Sequence, residues 1–141
     1  MKVAFVKDNT ILSLLIRLFI QSKYHHCVAI TQCGKYIIEA APFLGVIKTP
    51  IRTLEARYSA IDYGYINCDD KKAFDYLESR IGNKYDWLAV FCLIFKCEAE
   101  NRKKDHCSEL IANATGLFRK ERTSRITPEA LWMISKPIEP Q

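Results

Sequence analysis

Cys107 is the residue of this sequence whose surroundings best suit nucleophilic chemistry. The segment 106–115 is predicted to be a helix, because Asp105 before it can cap its start and Gly116 after it can end it. Cys107 then lies in the first turn. The free backbone N–H groups and the positive end of the helix dipole favour a thiolate there, which lowers the pKa of the thiol. The same N–H groups can stabilise an oxyanion beside the sulfur. We therefore predict that Cys107 is a nucleophile that attacks a carbonyl carbon.

A nucleophilic thiol needs a base that takes its proton, and the sequence holds three histidines. His106 precedes Cys107 on the predicted helix, so its ring points roughly 100° away around the axis and makes it a poor base. His25 and His26 lie on a predicted strand, where consecutive side chains face opposite sides. The choice of base therefore depends on how that strand pairs.

The strand that carries His26 is predicted to form a hairpin with the segment 35–40. If Cys33-Gly34 is the two-residue turn, Glu39 lies diagonal to His26 on the same face, at ~7–8 Å between Cα atoms, within reach of long side chains. This register predicts His26 as the base, Glu39 as the carboxylate that orients it, and His25 on the opposite face. A loop one residue longer or shorter would reverse that assignment.

Two short motifs and their order resemble a known family. The segment 82–87 (GNKYDW), followed by 107–111 (CSELI) and Gly116, is similar to the pattern of NlpC-type cell-wall peptidases. In this chain the histidine segment 24–30 comes before the cysteine. That order, with the closing TPEAL of 127–131, resembles the circularly permuted YiiX-like branch of papain-fold hydrolases, whose wider relatives include lecithin:retinol acyltransferase.

The resemblance implies a role for each matching residue. Cys107 matches the nucleophile, His26 the general base, and Glu39 the residue that orients the histidine. Tyr85 matches a tyrosine beside the cleft that helps to bind the oxyanion or the substrate. No metal and no organic cofactor is implied. The sequence departs from the pattern at His25, at Cys27 and in a long basic loop before the cysteine, and these departures bear on the substrate class.

The resulting functional hypothesis is a thiol hydrolase that cleaves an amide, in a peptide or isopeptide bond, through an acyl-enzyme. Bacterial cell-wall peptides are the first substrate that the resemblance suggests. Two alternatives stay open: an acyl-lipid hydrolase or acyltransferase, and a catalytically silent module of the same fold that binds a peptide. The implied fold is a permuted papain-like domain over residues 1–141, with a small antiparallel sheet packed against helices.

Composition limits the other classes of function. The chain has 141 residues, 49% of them hydrophobic, which suits one domain with its own core. The net charge is +5, and basic residues concentrate late in the chain, so an anionic surface is a possible partner. No aromatic residues are interleaved with those charges as a stacking platform requires, so nucleic acid is not expected.

The six cysteines show no repeated disulfide framework, and most are predicted to be small buried residues in a reducing compartment. A zinc site from Cys92, Cys97, His106 and Cys107 can be drawn. Adjacent ligands at positions 106 and 107 suit tetrahedral coordination poorly, so no metal site is predicted.

The remaining pattern predicts helices and strands without regular alternation, which is typical of an α+β fold. The predicted strands are 2–6, 24–31, 35–40, 51–54 and 60–66; the predicted helices are 11–21, 70–81, 86–97, 106–115 and one that opens at Thr127-Pro128. Residues 42–50 and 98–104 are predicted as loops.

The apolar segment 11–20 is interrupted by Arg17 and is about half the ~20 residues that cross a bilayer. No small-residue cleavage site follows it. We therefore predict a buried helix, no transmembrane segment and no export signal. The cytoplasm is then the default location, and a cell-wall enzyme would require release by lysis or by a secretion system.

Overall fold

A computed structural model of the chain describes residues 1–85 and 104–139. Within these ranges the central element is a six-stranded sheet. Its strands are β1 (Lys2–Lys7), β2 (His26–Ile30), β3 (Tyr36–Ala41), β4 (Gly45–Pro50), β5 (Ala60–Tyr65) and β8 (Lys136–Ile138). They lie in the order β4-β3-β2-β1-β5-β8, and every neighbouring pair is antiparallel. A second, parallel pair consists of β6 (Lys84–Tyr85) and β7 (Lys104–Asp105).

The described helices connect these strands. They are α1 (Ile11–Ile20), α2 (Ile51–Arg57), α3 (Asp70–Arg80), α4 (Cys107–Thr115) and α5 (Pro128–Met133), with a 3₁₀ helix at Lys120–Arg125. The predicted α+β class is confirmed. Within the described ranges, the structure has no helix that is both long enough and apolar enough to cross a bilayer.

The sheet buries apolar side chains on both faces. On one face, Phe5, Cys27 and Ala29 pack with residues of α3, α4 and α5 in the larger core cluster. On the other face, Val28 and Ile37 pack with residues of α2 in a smaller cluster. The larger cluster fixes α4 against β2, and the smaller one fixes α2 against the opposite side of the same strands.

Helix capping follows the sequence closely. The Thr10 side chain accepts a hydrogen bond from the Ser13 N–H, and the Thr127 side chain accepts one from the Ala130 N–H. Gly116 ends α4 with a φ of 65°, a left-handed conformation that glycine adopts without strain. The predicted helices that begin at these threonines are therefore confirmed, as is the end of α4.

Two predictions between residues 42 and 57 are wrong. The segment 51–54, predicted as a strand, lies in α2, because Ile51, Leu54 and Tyr58 are spaced by three and four residues and pack on one face of the sheet. The predicted loop over 42–50 contains β4. A strand is possible between Gly45 and Pro50 because β4 is the edge strand, where proline leaves no ladder partner unsatisfied.

The predicted burial of α1 is also wrong. Its apolar side chains at positions 11, 14, 15, 18 and 19 are exposed, with Ile11 at 78% and Leu18 at 72%. The side that faces the protein instead carries Ser13, which is 2% exposed. These apolar side chains form an outward stripe at helical spacing, and none of the α1 side chains that the structure describes belongs to either core cluster.

Several predictions fall on residues that the structure does not describe. The apolar helix over 86–97 and the loop over 98–103 lie outside the described residues, as do Cys92 and Cys97. Lys104, the last residue of the predicted loop, lies in β7.

Substitution of Gly45 tests the close approach of β4 to the backbone of Asn83, just before β6. Its φ is +80°, and a Cβ at this position would lie 2.1 Å from the Asn83 carbonyl oxygen. Gly45→Ala should lower the free energy of unfolding by about 2 kcal/mol or more in urea denaturation. Gly34→Ala is the matched control, because Gly34 has a φ of +71° with no atom within 4 Å; it should cost only about 1 kcal/mol. Equal losses would contradict the close approach.

Candidate active site

Cys107 is the first residue of α4. His106 precedes it in extended conformation as the N-cap, and the first intrahelical bond runs from the Leu110 N–H to the His106 carbonyl. The backbone N–H groups of the first turn therefore have no acceptor within the helix, and the positive end of the helix dipole lies beside the sulfur. The Cys107 side chain is buried, with 7% exposure.

His26 and Glu39 form a buried pair on neighbouring strands. The observed register pairs Ala29 with Ile38 and Ile30 with Ile37, as the sequence predicted for the hairpin. His26 Nε2 lies 2.8 Å from Glu39 Oε2, and Glu39 is 1% exposed. Since Nε2 is used by Glu39, Nδ1 is the ring nitrogen that remains for Cys107. The predicted placement of Glu39 diagonal to His26 is confirmed.

Cys107 and His26 also interact electrostatically, and each shifts the pKa of the other. Burial lowers the pKa of His26, but hydrogen bonds and charge interactions with Cys107 and Glu39 outweigh burial and raise this pKa to about 9. The pKa of Cys107 is held well below its ordinary value by a hydrogen bond from the Cys27 thiol and by the hydrogen bond and charge of His26, against the opposing effect of burial. The two shifts act in the same direction, since both favour a thiolate on Cys107 and an imidazolium on His26.

A third side chain holds Glu39 in its charged form. The Arg57 guanidinium donates a short hydrogen bond to Glu39 Oε1, the oxygen that His26 does not use. Burial raises the pKa of Glu39, but the hydrogen bonds and positive charges of His26 and Arg57 outweigh burial and lower it. Glu39 is thus a buried carboxylate with a cation on each oxygen, which fixes its orientation.

His25 lies on the same side as His26, so the prediction that the two histidines face opposite sides is wrong. The alternation of side chains applies within a strand, and β2 begins only at His26. The two rings stack at 6.5 Å, and His25 Nδ1 lies 2.9 Å from Ser13 Oγ. Burial lowers the pKa of His25, and the charge on His26 lowers it further. His25 is therefore a neutral ring beside the charged one.

His106 points away from the base position. Its Nδ1 lies 3.0 Å from Glu109 Oε2, one turn further along α4, and its side chain is buried. This agrees with the prediction from the helix geometry that a neighbour of Cys107 on the helix is a poor base for it.

Tyr85 is placed by its backbone only. It lies in β6 opposite Asp105 of β7, which is two residues before Cys107. Its side chain lies outside the described part of the chain. No cluster of three or more His, Cys, Asp or Glu residues that could hold a metal ion is found among residues 1–85 and 104–139.

A cavity of about 240 Å³ opens beside His26. His26 and Glu39 line this cavity, whereas Cys107 is not among its lining residues. The cavity is lined by Asp8, Thr10, Ser13, Ile16, His25, His26, Glu39, Ala41, Pro42, Arg57 and Tyr58. The walls therefore combine charged and aromatic side chains from α1, α2 and the end of β3.

Two residues of the site were missed by sequence reasoning. Arg57 was missed because α2 was predicted as a strand that ends before it. Cys27 was seen only as a departure from the family pattern, although alternation along β2 places it on the face that packs against α4.

Comparison with solved structures shows a shared fold. The chain is similar to a protein described as the metalloprotein YiiX from Escherichia coli O157:H7, with a TM-score of 0.60 and 20% sequence identity over 82% of this chain and 66% of that one. The chain thus spans slightly less than two thirds of that protein. At this identity the likeness shows the fold alone, and at that level the predicted YiiX-like fold is confirmed. No family model and no curated protein matches the chain.

Proposed function

We propose that this chain is a cysteine hydrolase that cleaves an amide bond through an acyl-enzyme. The observation that carries the proposal is the buried His26–Glu39 pair, in which Nε2 lies 2.8 Å from the carboxylate. The imidazole of this pair interacts electrostatically with Cys107 at the start of α4. This is the order of groups that nucleophilic catalysis requires: a nucleophile, its base and a group that orients the base. The helix position of Cys107 and the order of strand and helix also support a permuted papain-like fold.

In the first step, the Cys107 thiolate attacks the carbonyl carbon. The carbon–sulfur bond forms while the carbonyl π electrons move to oxygen, and the backbone N–H of Cys107 donates a hydrogen bond to that oxygen. We assign the second donor to Tyr85, because the pairing of β6 with β7 brings its backbone close to the start of α4.

In the second step, the imidazolium of His26 gives its proton to the leaving amine as the carbon–nitrogen bond breaks. The neutral ring then takes a proton from water, whose oxygen attacks the thioester and releases the acid. Glu39 stays ionised throughout and holds the ring in orientation, while Arg57 holds Glu39. No step requires a cofactor.

The substrate that we favour is a peptide or isopeptide amide, with bacterial cell-wall peptides as the first choice by the family resemblance. The cavity beside His26 supports a polar substrate, because Asp8, Arg57 and Tyr58 face it together. Such walls offer donors and acceptors for a peptide backbone and its charged ends.

The proposal is tested by hydrolysis of peptidoglycan fragments followed by mass spectrometry. The wild-type chain should release shorter peptides, and acid quenching should trap an acyl group on Cys107. Cys107→Ala should show neither product, whereas Cys33→Ala, a change at an exposed cysteine in the β2–β3 turn, should keep both. Binding of fragments without turnover by the wild-type chain would instead indicate a silent peptide-binding module.

Acyl-lipid chemistry is the second candidate, and a specific observation favours it. One side of α1 lines the cavity with Ser13 and Ile16, and the opposite side carries the exposed apolar stripe. The exposed Phe43 and Leu44 follow Ala41 and Pro42 of the cavity wall. Exposed apolar side chains on elements that also line the cavity would suit an approach to lipid. Release of fatty acid from phospholipid vesicles by the wild-type chain, but not by Cys107→Ala, would favour this candidate over the amidase.

A further inference from the structure

Two carboxylates line the cavity, and the second of them, Asp8, takes no part in the steps above. The carboxylate of Glu39 has a cation on each oxygen, because His26 and Arg57 both bind it. Asp8 lies in the connection between β1 and α1 and lines the cavity together with Ser13 of that helix. The charges of the two carboxylates are therefore balanced in different ways.

Asp8 is held in place by one of its two carboxylate oxygens. Oδ1 accepts a hydrogen bond from the Thr10 N–H at 3.0 Å and another from the Thr10 hydroxyl at 2.7 Å. Oδ2 lies 3.8 Å from His25 Nε2, which is too long for a hydrogen bond, and the side chain is 22% exposed. Thr10 thus fixes the carboxylate through Oδ1, and Oδ2 keeps room for a further donor.

No lysine or arginine among the residues that the structure describes forms an ion pair with Asp8. Burial raises the pKa of Asp8, but the hydrogen bonds from Thr10 outweigh burial and lower it, so the group is charged at neutral pH. Lys7, the preceding residue, pairs with Asp62 at 3.0 Å instead. His25 is a neutral ring, because burial lowers its pKa. A partly buried carboxylate in this setting is complementary to an ammonium group of a ligand.

His25 connects this carboxylate with the proposed base. Its Nε2 faces Asp8, and its ring stacks on the ring of His26 with 6.5 Å between the centroids. Asp8 is thus separated from His26 by one side chain, and an extended peptide advances by about 3.3 Å per residue. An ammonium group bound to Asp8 would therefore lie within a few residues of the amide that is cleaved.

We propose that Asp8 determines substrate specificity by binding a primary ammonium group of the substrate, close to the scissile amide. This inference rests on the proposed function, since it assigns a substrate class to the same cavity. The ammonium donates a hydrogen bond to Oδ2 while Thr10 holds Oδ1. Two sources supply such a group in a peptide, namely a free α-amine and the side chain of a lysine or another diamino residue.

The test compares two pairs of peptides. The first pair is trialanine amide with and without an acetyl group on its α-amine; the second is N-acetyl-alanyl-lysyl-alanine amide with and without an acetyl group on the lysine side chain. Isothermal titration measures their binding to Cys107→Ala, which does not consume them. In at least one pair the ammonium form should bind about tenfold or more tightly, because only this form makes a charge-assisted hydrogen bond.

The pair that shows the preference identifies the source of the ammonium group. Equal binding within both pairs, or no measurable binding of any of the four peptides, would overturn the proposal.

Asp8→Asn, made in the same Cys107→Ala chain, should abolish the preference. Asparagine keeps an oxygen for the two hydrogen bonds from Thr10 and removes the charge, so a role in holding the turn alone would leave the preference in place. Asp75→Asn is the matched control, because it removes the same charge at an exposed position of α3, and it should keep the preference. Retention of the preference in Asp8→Asn, or equal loss in both variants, would contradict the assignment.

Amide NMR of Cys107→Ala locates the bound peptide without any change at Asp8, so it decides the question even if Asp8→Asn fails to fold. The ammonium form of the preferred pair should shift the amide signals of Asp8 and Thr10 more than the acetylated form does, and equal shifts would overturn the proposal. Binding is measured apart from turnover. A chain that forms the acyl-enzyme but shows no preference would reject the role of Asp8 alone, whereas a preference without an acyl-enzyme would reject the hydrolase alone.

Discussion

His26→Ala should lower kcat/KM for amide hydrolysis by about 10⁴-fold or more. His26 is proposed both to keep Cys107 ionised and to protonate the leaving amine, and alanine removes both contributions at once. The hydrogen bond and charge of His26 lower the pKa of Cys107, so this pKa should rise in the variant. At pH 7 the variant should therefore carry less thiolate, and iodoacetamide should alkylate Cys107 at least about tenfold more slowly.

Cys33 provides an internal standard for that measurement. It is exposed in the turn between β2 and β3, and a hydrogen bond from the Thr31 hydroxyl lowers its pKa, so iodoacetamide should modify it readily in both proteins. The ratio of Cys107 to Cys33 labelling, resolved by peptide mass spectrometry, should fall in His26→Ala. An unchanged ratio would contradict the ion pair, and His25→Ala should leave the ratio close to that of the wild-type chain.

The pH dependence of kcat/KM in the wild-type chain tests whether His26 acts in its protonated form. The pKa of His26 is raised to about 9, so the ring is protonated below that pH and loses its proton as the pH rises through it. If the imidazolium is the acid that releases the amine, kcat/KM should fall as pH rises through about 9. Imidazole NMR titration of Cys107→Ala should show a lower pKa for His26, because the thiolate that raises it is gone while burial remains.

Local rules predicted the part of the site that lies within one hairpin. The Thr31 N–H bonds the Tyr36 carbonyl, so the connection holds the four residues 32–35 rather than the predicted two. It is still centred on Cys33-Gly34, so the register of β2 and β3 agrees with the prediction, and its parity placed Glu39 beside His26. Helix signals placed Cys107 in a first turn in the same way. Each of these inferences needed only neighbouring residues, and the two-residue period of a strand converts a correct register into a correct side-chain face.

The inferences that failed depended on where an element begins or on what packs against it. His25 was assigned to the wrong side because β2 begins at His26, two residues later than the predicted strand. Arg57 was missed because the short apolar segment 51–54 fits both the two-residue period of a strand and the 3.6-residue period of a helix. It forms a helix because its apolar side chains pack against the sheet at helical spacing. Cys27 and Cys107 share one core cluster because α4 packs on β2, and no local pattern contains that packing.

Glu39→Gln should lower kcat by about 10²- to 10⁴-fold while KM changes little. The substitution keeps the size of the side chain and an oxygen for the His26 bond, but it removes the negative charge that raises the pKa of His26. The imidazolium should therefore titrate below 9, and the fall of activity with rising pH should begin earlier than in the wild-type chain. The change in pH profile separates loss of charge from a simple loss of structure.

Arg57 makes this prediction sharper, because it shares the carboxylate with His26. In Glu39→Gln no negative charge remains between the Arg57 guanidinium and the His26 ring. The positive charge of Arg57 then repels the proton on the ring, which lowers the pKa of His26 further. Arg57→Gln should act oppositely: Glu39 keeps its charge and interacts with His26 alone, so the pKa of His26 should stay near 9 or rise. Glu55→Gln, at an exposed position of α2, is the control and should change neither the NMR titration nor kcat. An unaltered His26 titration in Glu39→Gln would show that the carboxylate does not hold the proton on the ring, and the ion pair would then depend on Cys107 alone.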